Sequence, residues 1–485
     1  MPIFAFLVGM IKTNSSFYKE LVKAFPFEPT FTQNELLQML SEFLFSKDAD
    51  GVFLLKGYAG TGKTSVISTI VNNLWKIGKK SVLLAPTGRA AKVISIYSKK
   101  QAFTIHKKIY HPKKTSNGSV EFVRQVNKHT NTIFFVDEAS MVPDAPSNSK
   151  LFENGSLLDD LIDYVYSSKS CKLILIGDTA QLPPVKLELS PALNEDNLSF
   201  QYNKIVTLIE LEEVMRQHKN SGILLNATEL RLFIKSDSFA DFQFNLKYPD
   251  VIRLVDSYDV QDAIHTSYER NGIDETAIIV RANKRANQYN QQIRTRILDY
   301  ENQIAVGDHV MAVKNNYFWL KDSSEISFLA NGDTFEVLEI FGTKELYGFN
   351  FSEVKIRLID YPSHPPLETV LLLDTLLSET SSLSYEESNK LYHEVGKDYS
   401  DIKSKYKRLL EIKGNKYFNA IQVKYSYAMT CHKSQGGQWD TVFIEQPYLP
   451  NGQSVEYWRW LYTAITRAKN RLYLLGFKNE DFEAV

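Results

Sequence analysis

The sequence predicts an α/β fold with two parallel sheets and a small β-barrel inserted into the second half of the chain. Short, continuous apolar runs alternate with helical patterns along most of the 485 residues, as expected for parallel strands that are buried on both faces. The interval 305–416 instead alternates apolar with polar residues around Gly-Asp and Asn-Gly-Asp turns, which indicates antiparallel strands. A chain of this length exceeds one ordinary core, so we expect several domains.

Composition narrows the possible classes of protein. The formal net charge is −1, so a nucleic-acid-binding surface would have to be local rather than spread over the whole molecule. Two cysteines are too few for a disulfide framework and suit a reducing cytosol. The apolar start "MPIFAFLVGMI" lacks a basic region and a cleavage site, so we interpret it as a buried segment. No apolar run is long enough to span a membrane, and we expect a cytoplasmic protein.

The first domain, predicted over 1–200, contains strands that end in chemically active residues. Polar residues at the carboxyl ends of parallel strands meet at one edge of the sheet, where ligands bind. A polar segment at about 107–130 with a Ser-Asn-Gly turn predicts a small inserted hairpin. The four predicted strands are Gly51–Gly57, Ser81–Pro86, Thr132–Glu138 and Lys172–Asp178.

A second sheet of the same kind is predicted over 201–304 and 417–485. Between these ranges, 305–416 is the predicted barrel, and about 376–413 is a polar, helical excursion from it. The predicted strands of the second sheet are Val206–Leu211, Ala277–Ala282, Val423–Thr430, Asp440–Glu445 and Arg471–Phe477.

The stretch "GYAGTGKT" (Gly57–Thr64) is a complete phosphate-binding P-loop, placed after a strand and before a helix. Its glycines let backbone N–H groups approach phosphate oxygens, and the helix N-terminus favours the anion. Lys63 is expected to reach the β- and γ-phosphates of ATP, and Thr64 to supply a hydroxyl to Mg²⁺. The other predicted nucleotide-binding residues of this stretch are Gly57, Ala59, Gly60, Thr61, Gly62 and Ser65.

Two further strand ends complete the predicted catalytic site. In "FFVDEAS", Asp137 is expected to hold the Mg²⁺ shell, and Glu138 to orient or deprotonate the attacking water. In "GDTAQLPPV", Gln181 can sense the γ-phosphate. Adjacent carboxylates next to a P-loop favour hydrolysis of a nucleoside triphosphate over transfer to a small molecule.

The order of these motifs resembles that of superfamily 1 helicases, in the branch that includes RecD, the Pif helicases and the phage helicase Dda. The resemblance extends from Gln33 to Arg471 and includes "APTGRAAK", "LEEVMRQ", "HKSQG" and "YTAITRAKN". It implies two RecA-like P-loop NTPase domains and a Src-homology-3-like barrel with a helical tower. It also implies that Gln33 lies at the adenine edge, and that Arg216 and Arg467 reach the γ-phosphate in a cleft between the RecA-like domains.

The same resemblance implies movement 5′→3′ along single-stranded DNA and unwinding of duplex DNA, with forked or tailed duplexes as partners. We expect the chain to act as a monomer, and the hairpin at 107–130 to be the wedge that separates strands. Gln435 and Gly436 are expected to face the nucleotide. The predicted DNA contacts are Pro86, Thr87, Arg89, Thr104, His106, Asn283, Thr430, His432 and Lys433.

The stretch "YAMTCHKSQGG" (Tyr427–Gly437) places Cys431, His432 and Ser434 close together. A nucleophile would need a group that orients His432 and an oxyanion hole, and a metal site would need more ligands. We therefore interpret the stretch as a link between nucleotide and DNA.

Three alternatives stay open at this point. The chain could be a P-loop ATPase with no nucleic-acid motor activity, or a helicase that moves 3′→5′ or acts on RNA. It could also be a nucleic-acid clamp without catalysis, although Lys63, Asp137 and Glu138 are intact.

Overall fold

The computed structural model describes residues 10–114, 120–144, 156–185, 187–213, 221–236, 241–320, 328–359 and 361–483. The chain forms two compact units. The first holds most of the chain before Ser221, and the second holds the chain from Ser221 on, together with Thr87–Arg89 and with Lys114 and Val120. The apolar N-terminal segment that we interpreted as buried lies almost wholly outside the described residues.

A six-stranded parallel sheet forms the centre of the first unit, in the order β3-β2-β6-β7-β1-β8. Strands β4 and β5 form a separate two-stranded sheet between β3 and β6 along the chain. The strands are β1 (Gly51–Gly57), β2 (Lys80–Ala85), β3 (Ala102–Thr104), β4 (Tyr110–Lys114), β5 (Val120–Arg124), β6 (Thr132–Val136), β7 (Lys172–Gly177) and β8 (Ile205–Leu211). The helices are α1 (Asn14–Ala24), α2 (Phe31–Phe45), α3 (Lys63–Asn73), α4 (Gly88–Ser98), α5 (Ile105–Ile109) and α6 (Leu157–Tyr166).

Strand β8 corrects one expectation. We predicted Val206–Leu211 as part of the second sheet and placed the domain boundary before it. The strand instead pairs in parallel with β1, from Gly51 opposite Ile205 to Gly57 opposite Leu211. The apolar pattern identified a strand correctly, but pattern alone does not say which strand is its neighbour.

A hydrophobic core covers one face of this sheet. Phe17 of α1, Leu40 of α2 and Ile70 of α3 are buried together with Phe53 of β1 and Ile174 of β7. Helix α2 begins with a capping box, in which the Thr30 and Gln33 side chains each accept a hydrogen bond from the other residue's backbone. This reciprocal cap fixes where α2 starts and therefore where Gln33 points.

The second unit contains a five-stranded parallel sheet, in the order β16-β10-β17-β18-β9, and a closed barrel of β11 to β15. The strands are β9 (Val251–Leu254), β10 (Thr276–Val280), β11 (His309–Ala312), β12 (Thr334–Leu346), β13 (Phe349–Leu358), β14 (Leu367–Leu372), β15 (Ile421–Tyr425), β16 (Ala428–Thr430), β17 (Trp439–Glu445) and β18 (Ala468–Leu475). The helices are α7 (Gly222–Lys235), α8 (Ser257–Asn271), α9 (Asn283–Arg296), α10 (Tyr385–Lys397), α11 (Lys405–Gly414), α12 (Cys431–Ser434) and α13 (Val455–Ile465).

The prediction that Val423–Thr430 forms a single strand of the second sheet is wrong. Residues Ile421–Tyr425 close the barrel between β11 and β14, whereas Ala428–Thr430 pair with β10. The chain changes sheet at Ser426 and Tyr427. The barrel therefore extends beyond the predicted limit of 416.

The polar interval after Leu376 forms helices, as predicted. Helices α10 and α11 pack on the barrel through Leu391, Val395 and Ile412, which share a core with Phe351 of β13 and Leu372 of β14. We call this pair of helices the tower.

The barrel and the second sheet are joined by buried contacts. One hydrophobic core contains Val280 of β10 and Ile293 of α9 together with Val310 and Phe335 of the barrel. Within it, Arg294 Nε donates to Asp308 Oδ1 at 2.8 Å, and the Tyr427 hydroxyl donates to the same oxygen at 2.8 Å. Such a buried pair is stable only when its polar atoms are bonded, which is the case here.

Among the helices that the structure describes, none has the length and apolarity needed to cross a membrane.

Candidate nucleotide site

The P-loop connects β1 to α3 in the first unit. Gly60 and Gly62 have φ angles of 76° and 84°, a left-handed conformation that glycine adopts without a steric penalty. Lys63 Nζ donates to the carbonyls of Gly57 at 2.6 Å and Tyr58 at 2.8 Å. The loop therefore closes on itself and holds the ammonium group at the N-terminus of α3, where a phosphate would bind.

Asp137 and Glu138 follow β6. The Glu138 backbone N–H donates to Asp137 Oδ1 at 3.0 Å, and Glu138 has a φ of 51°, which is uncommon for a residue with a side chain. Burial, and then the charge of Glu138, raise the pKa of Asp137 to about 7. A carboxylate in this environment is stabilised by a nearby cation, so the residues present fit the Mg²⁺ of a Mg-ATP complex.

Gln181 lies in the loop after β7. Its side chain is 6% exposed, and Oε1 is buried without a hydrogen-bond partner in the described structure. Asp178 Oδ1 accepts from the Ala180 N–H at 2.9 Å and shapes this loop. A buried acceptor without a partner costs free energy, and native structures retain one mainly where it has a use.

Strand order brings these three motifs to one edge of the first sheet. Strand β7 pairs in parallel with β1 on one side and with β6 on the other, so their carboxyl ends are neighbours. The structure thus brings together Lys63 and Thr64, Asp137 and Glu138, and Gln181, which the sequence predicted separately.

Gln33 contacts the P-loop backbone. The side chain is buried, Nε2 donates to the Thr61 carbonyl at 2.9 Å, and Oε1 accepts from the Thr30 N–H at 3.1 Å. In the structure its amide supports the phosphate loop. Its contact with adenine stays a prediction.

Arg467 lies in the second unit between α13 and β18, and its side chain is 3% exposed. Its guanidinium donates to the carbonyls of Thr463 at 3.0 Å and Gly437 at 3.2 Å. Gln435 is also buried, and Gly436 has a φ of 75°. The structure thus brings Arg467 next to the segment predicted to face the nucleotide. The other predicted arginine, Arg216, lies outside the described residues.

Four predicted DNA contacts meet at one edge of the second sheet. Val280 at the end of β10 lies opposite Thr430 at the end of β16. Arg281 and Asn283 follow β10, and α12, which contains His432, follows β16. Asn283 and His432 therefore lie at the same edge of the sheet. Asn283 Nδ2 donates to the Glu379 carbonyl at 3.3 Å. His432 is exposed.

Lys433 is half-buried at the same edge. Burial, and then the charge of Lys424, lower its pKa to about 8. An anion close to Lys433 would relieve both effects, which suits a phosphate contact.

The predicted DNA contacts near the first sheet differ in exposure. Pro86 and Thr87 directly follow β2, and Arg89 lies in the first turn of α4; all three are half-buried. Thr104 is 6% exposed and its hydroxyl caps α5 by accepting from the Lys107 N–H at 3.2 Å. Burial lowers the pKa of His106 to about 4, so this side chain is neutral at pH 7. Their DNA contacts stay predictions.

Ser140 is a polar residue of this site that we did not single out from the sequence. Its side chain is 1% exposed, and Oγ has no hydrogen-bond partner in the described structure. It lies two residues after Glu138, and a Cβ built on Gly177 would be 3.1 Å from its backbone nitrogen. The available signal was its place in "VDEAS", close behind the acid pair.

Cys431 takes no part in a nucleophilic or metal site. It is fully buried, its Sγ donates to the Trp460 carbonyl at 3.4 Å, and burial raises its pKa to about 12. A thiol at this pKa does not form the reactive thiolate. Within the described ranges, no three His, Cys, Asp or Glu side chains form a cluster that could hold a metal ion.

A parallel sheet that ends in a P-loop and an acid pair, followed by a second parallel sheet with an inserted barrel, defines a two-sheet P-loop NTPase. Comparison with known proteins refines this class. A model described as the UvrD-like helicase C-terminal domain matches residues 425–475, and an AAA domain model matches residues 42–187.

Two similar proteins cover most of the chain. Uncharacterized protein R530 of Acanthamoeba polyphaga mimivirus is 24% identical over 91% of this chain and 97% of that protein. The ATP-dependent DNA helicase Dda of Enterobacteria phage T4 is 25% identical over 86% of this chain and 92% of that protein. A solved structure of Pif1 helicases at forked double-stranded DNA aligns over 94% of each chain, with a TM-score of 0.47 and 16% identity. The sequence matches thus make this chain similar to superfamily 1 helicases of the branch that includes Dda and RecD.

Proposed function

We propose that this chain is an ATP-dependent DNA helicase that moves 5′→3′ along single-stranded DNA and unwinds duplexes. The observation that supports it most is the convergence of P-loop, acid pair and Gln181 at one sheet edge, in a chain that is similar to helicases of this family. The net charge of −1 makes a local DNA track, rather than a generally basic surface, part of the proposal.

The chemistry is transfer of the γ-phosphoryl group of ATP to water, in which positioning and charge stabilisation do most of the work. Lys63 and the N–H groups at the start of α3 bind the phosphates. Glu138 accepts a proton from the attacking water, and the Gln181 acceptor orients that water. Bound with ATP, Mg²⁺ would neutralise charge on the phosphate oxygens, and Thr64 and Asp137 would hold it.

The arginines Arg216 and Arg467 are proposed to stabilise the charge that develops on the γ-phosphate. A guanidinium suits this role because its charge is permanent and its fork matches phosphate oxygens. Hydrolysis then changes the environment of Gln435 and Gly436, which lie in the same short span as His432 and Lys433. In this way the nucleotide state would alter the grip on DNA.

The strand-binding residues proposed are those at the edge of the second sheet, with His432 and Lys433 on the DNA backbone, and Thr87 and Arg89 beyond β2. Single-stranded DNA is held without sequence preference by backbone contacts of this kind. The β4–β5 hairpin is proposed to act as the wedge, and the monomer as the active species.

The decisive experiment compares duplexes that carry either a 5′ or a 3′ single-stranded tail. We expect ATP-dependent unwinding of the 5′-tailed duplex only, together with ATP hydrolysis that single-stranded DNA stimulates. Lys63→Ala should abolish both, whereas Lys47→Ala, which alters an exposed lysine after α2, should resemble the wild type.

Other outcomes identify the alternatives. Opening of the 3′-tailed duplex alone would refute the direction. Hydrolysis that neither DNA nor RNA stimulates would favour a P-loop ATPase without a motor, and stimulation by RNA alone would refute a DNA substrate. Equal unwinding by Lys63→Ala would indicate a clamp that does not use ATP.

A further inference from the structure

We propose that Tyr110, Arg124 and Asp160 form a brace that fixes the base of the β4–β5 hairpin to α6. We infer that this brace positions the hairpin for duplex separation and is not needed for ATP hydrolysis. The inference rests on the proposed function, in which the hairpin is the wedge.

A wedge of this kind needs support from outside itself. An isolated pair of strands is marginally stable in water, and the β4–β5 sheet has only two strands. A hairpin that meets a duplex has to resist the force of the paired strands, so its stiffness has to come from contacts with the rest of the chain.

The hairpin is first closed across its own base. The Gln125 N–H donates to the Ile109 carbonyl at 2.8 Å, and Gln125 Nε2 donates to the carbonyls of Lys108 at 3.1 Å and Tyr110 at 3.0 Å. Gln125, the residue after β5, is thus bonded to the residues that lead into β4.

Two side chains then join this base to α6. The Tyr110 hydroxyl, at the first residue of β4, donates to Asp160 Oδ2 at 2.6 Å. Arg124, the last residue of β5, donates to Asp163 Oδ2 at 2.6 Å and lies 3.7 Å from Asp160 Oδ1. Each strand of the hairpin therefore has its own contact with the same helix.

Asp160 is the centre of the brace because its side chain is only 2% exposed. A buried carboxylate is stable only when it is paired and hydrogen-bonded, so loss of the Tyr110 hydroxyl or of Arg124 weakens its compensation. Burial and the hydrogen bond to Asp160 raise the pKa of Tyr110. The hydroxyl therefore stays protonated and remains a donor throughout the range in which such an enzyme is assayed.

The chain offers a matched control on the same helix. The Tyr202 hydroxyl donates to Asp159 Oδ1 of α6 at 2.5 Å, so Tyr202→Phe removes the same chemical contact from the same helix at a residue outside the hairpin. Both tyrosine variants should fold, because only one oxygen is lost in each, and thermal unfolding would verify this.

The test measures three rates for wild type, Tyr110→Phe, Asp160→Asn and Tyr202→Phe. These are unwinding of a 5′-tailed duplex, ATP hydrolysis stimulated by single-stranded DNA, and translocation on single-stranded DNA. We expect Tyr110→Phe and Asp160→Asn to slow unwinding by about tenfold while the other two rates change by less than about twofold. Tyr202→Phe should change all three by less than about twofold.

The outcomes separate this inference from the proposed function. If the wild type hydrolyses ATP but unwinds no duplex, the proposed function fails. If the wild type unwinds and both brace variants, folded like the wild type, unwind equally well, the brace is refuted. It is also refuted if unwinding and hydrolysis fall in parallel, or if Tyr202→Phe has the same effect as Tyr110→Phe.

Discussion

Two buried oxygen atoms at the nucleotide site, Gln181 Oε1 and Ser140 Oγ, have no partner in the described structure. Each costs the folded protein the desolvation of a polar group, typically about 1–3 kcal/mol. They lie in the loop after β7 and two residues after the acid pair, where the attacking water is proposed to bind. Stability given up at such positions is expected where the polar group serves the reaction.

Gln181 allows this cost to be measured. Gln181→Leu keeps the volume of the side chain and removes the buried acceptor, so we expect the melting temperature to stay the same or rise. The same change should lower kcat of DNA-stimulated ATP hydrolysis by about 100-fold and leave KM for ATP within about threefold. Steady-state kinetics and thermal unfolding measure the two effects. A parallel loss of stability and activity would contradict a catalytic role.

At the residue scale, the sequence predicted what is locally encoded. Lys63 and Thr64 are specified by a contiguous motif, and the acid pair by its place at a strand end. The contact of Gln33 with the Thr61 carbonyl could not be predicted, because it depends on how α2 packs beside the P-loop. Likewise, nothing in the sequence indicated that Asp160 would be the buried partner of Tyr110.

At the scale of elements, a lysine of a β-strand caps the C-terminus of helix α2. Lys172, at the start of β7, is 6% exposed, and its Nζ donates to the carbonyls of Phe43 at 2.7 Å and Ser46 at 2.8 Å. These bonds satisfy carbonyls that a helix end leaves without partners. Burial nevertheless lowers the pKa of Lys172 to about 8.

This lowered pKa predicts how stability depends on pH. Below pH 8, Lys172 is charged in the folded and unfolded states, and its burial is destabilising. Between pH 8 and 10.5 the unfolded state keeps a proton that the folded state releases, so the free energy of unfolding rises with pH. Relative to Lys172→Met, the wild type should gain up to about 3 kcal/mol over this range.

Urea unfolding at pH 7.5, 8.5, 9.5 and about 10.5 would measure the difference between the two proteins. Lys47→Met, in which an exposed lysine is replaced, should differ from the wild type by a constant amount. A constant difference for Lys172→Met as well would show that its pKa is not lowered.

Strands were easier to predict than the sheets they join. The predicted strands Val206–Leu211 and Val423–Thr430 were both assigned to the second sheet, but Ile205–Leu211 pairs with β1 and Ile421–Tyr425 belongs to the barrel. An apolar run indicates burial on both faces, whereas its neighbour is decided by contacts between residues far apart in the chain. Strand β8 pairs with β1 across about 150 residues, a separation over which local sequence pattern carries no information.

At the scale of the whole molecule, a net charge of −1 limits how DNA can be bound. Of the predicted contacts, Arg89 and Lys433 are the cations at pH 7, since His106 is neutral there and burial also lowers the pKa of His432. Each phosphate contact on single strands changes the slope of log K against log salt by about −0.7. We therefore expect a shallow slope of about −1.4 for single-stranded DNA.

Fluorescence titrations over a range of KCl concentrations would measure this slope. Lys433→Ala should make it shallower by about 0.7, and Lys47→Ala should leave it unchanged. A wild-type slope steeper than about −4 would mean that a larger basic track, outside the predicted contacts, binds the strand.

The core that the barrel and the second sheet have in common has a mechanical consequence. Strands β15 and β16 are separated by Ser426 and Tyr427 alone; the Ser426 N–H donates to the His309 carbonyl, and the Tyr427 hydroxyl to Asp308. Two residues bonded in this way leave little room for a hinge. A displacement of α12 would therefore be transmitted directly to the barrel. The tower, which packs on the barrel, would then move with the barrel as a lever arm.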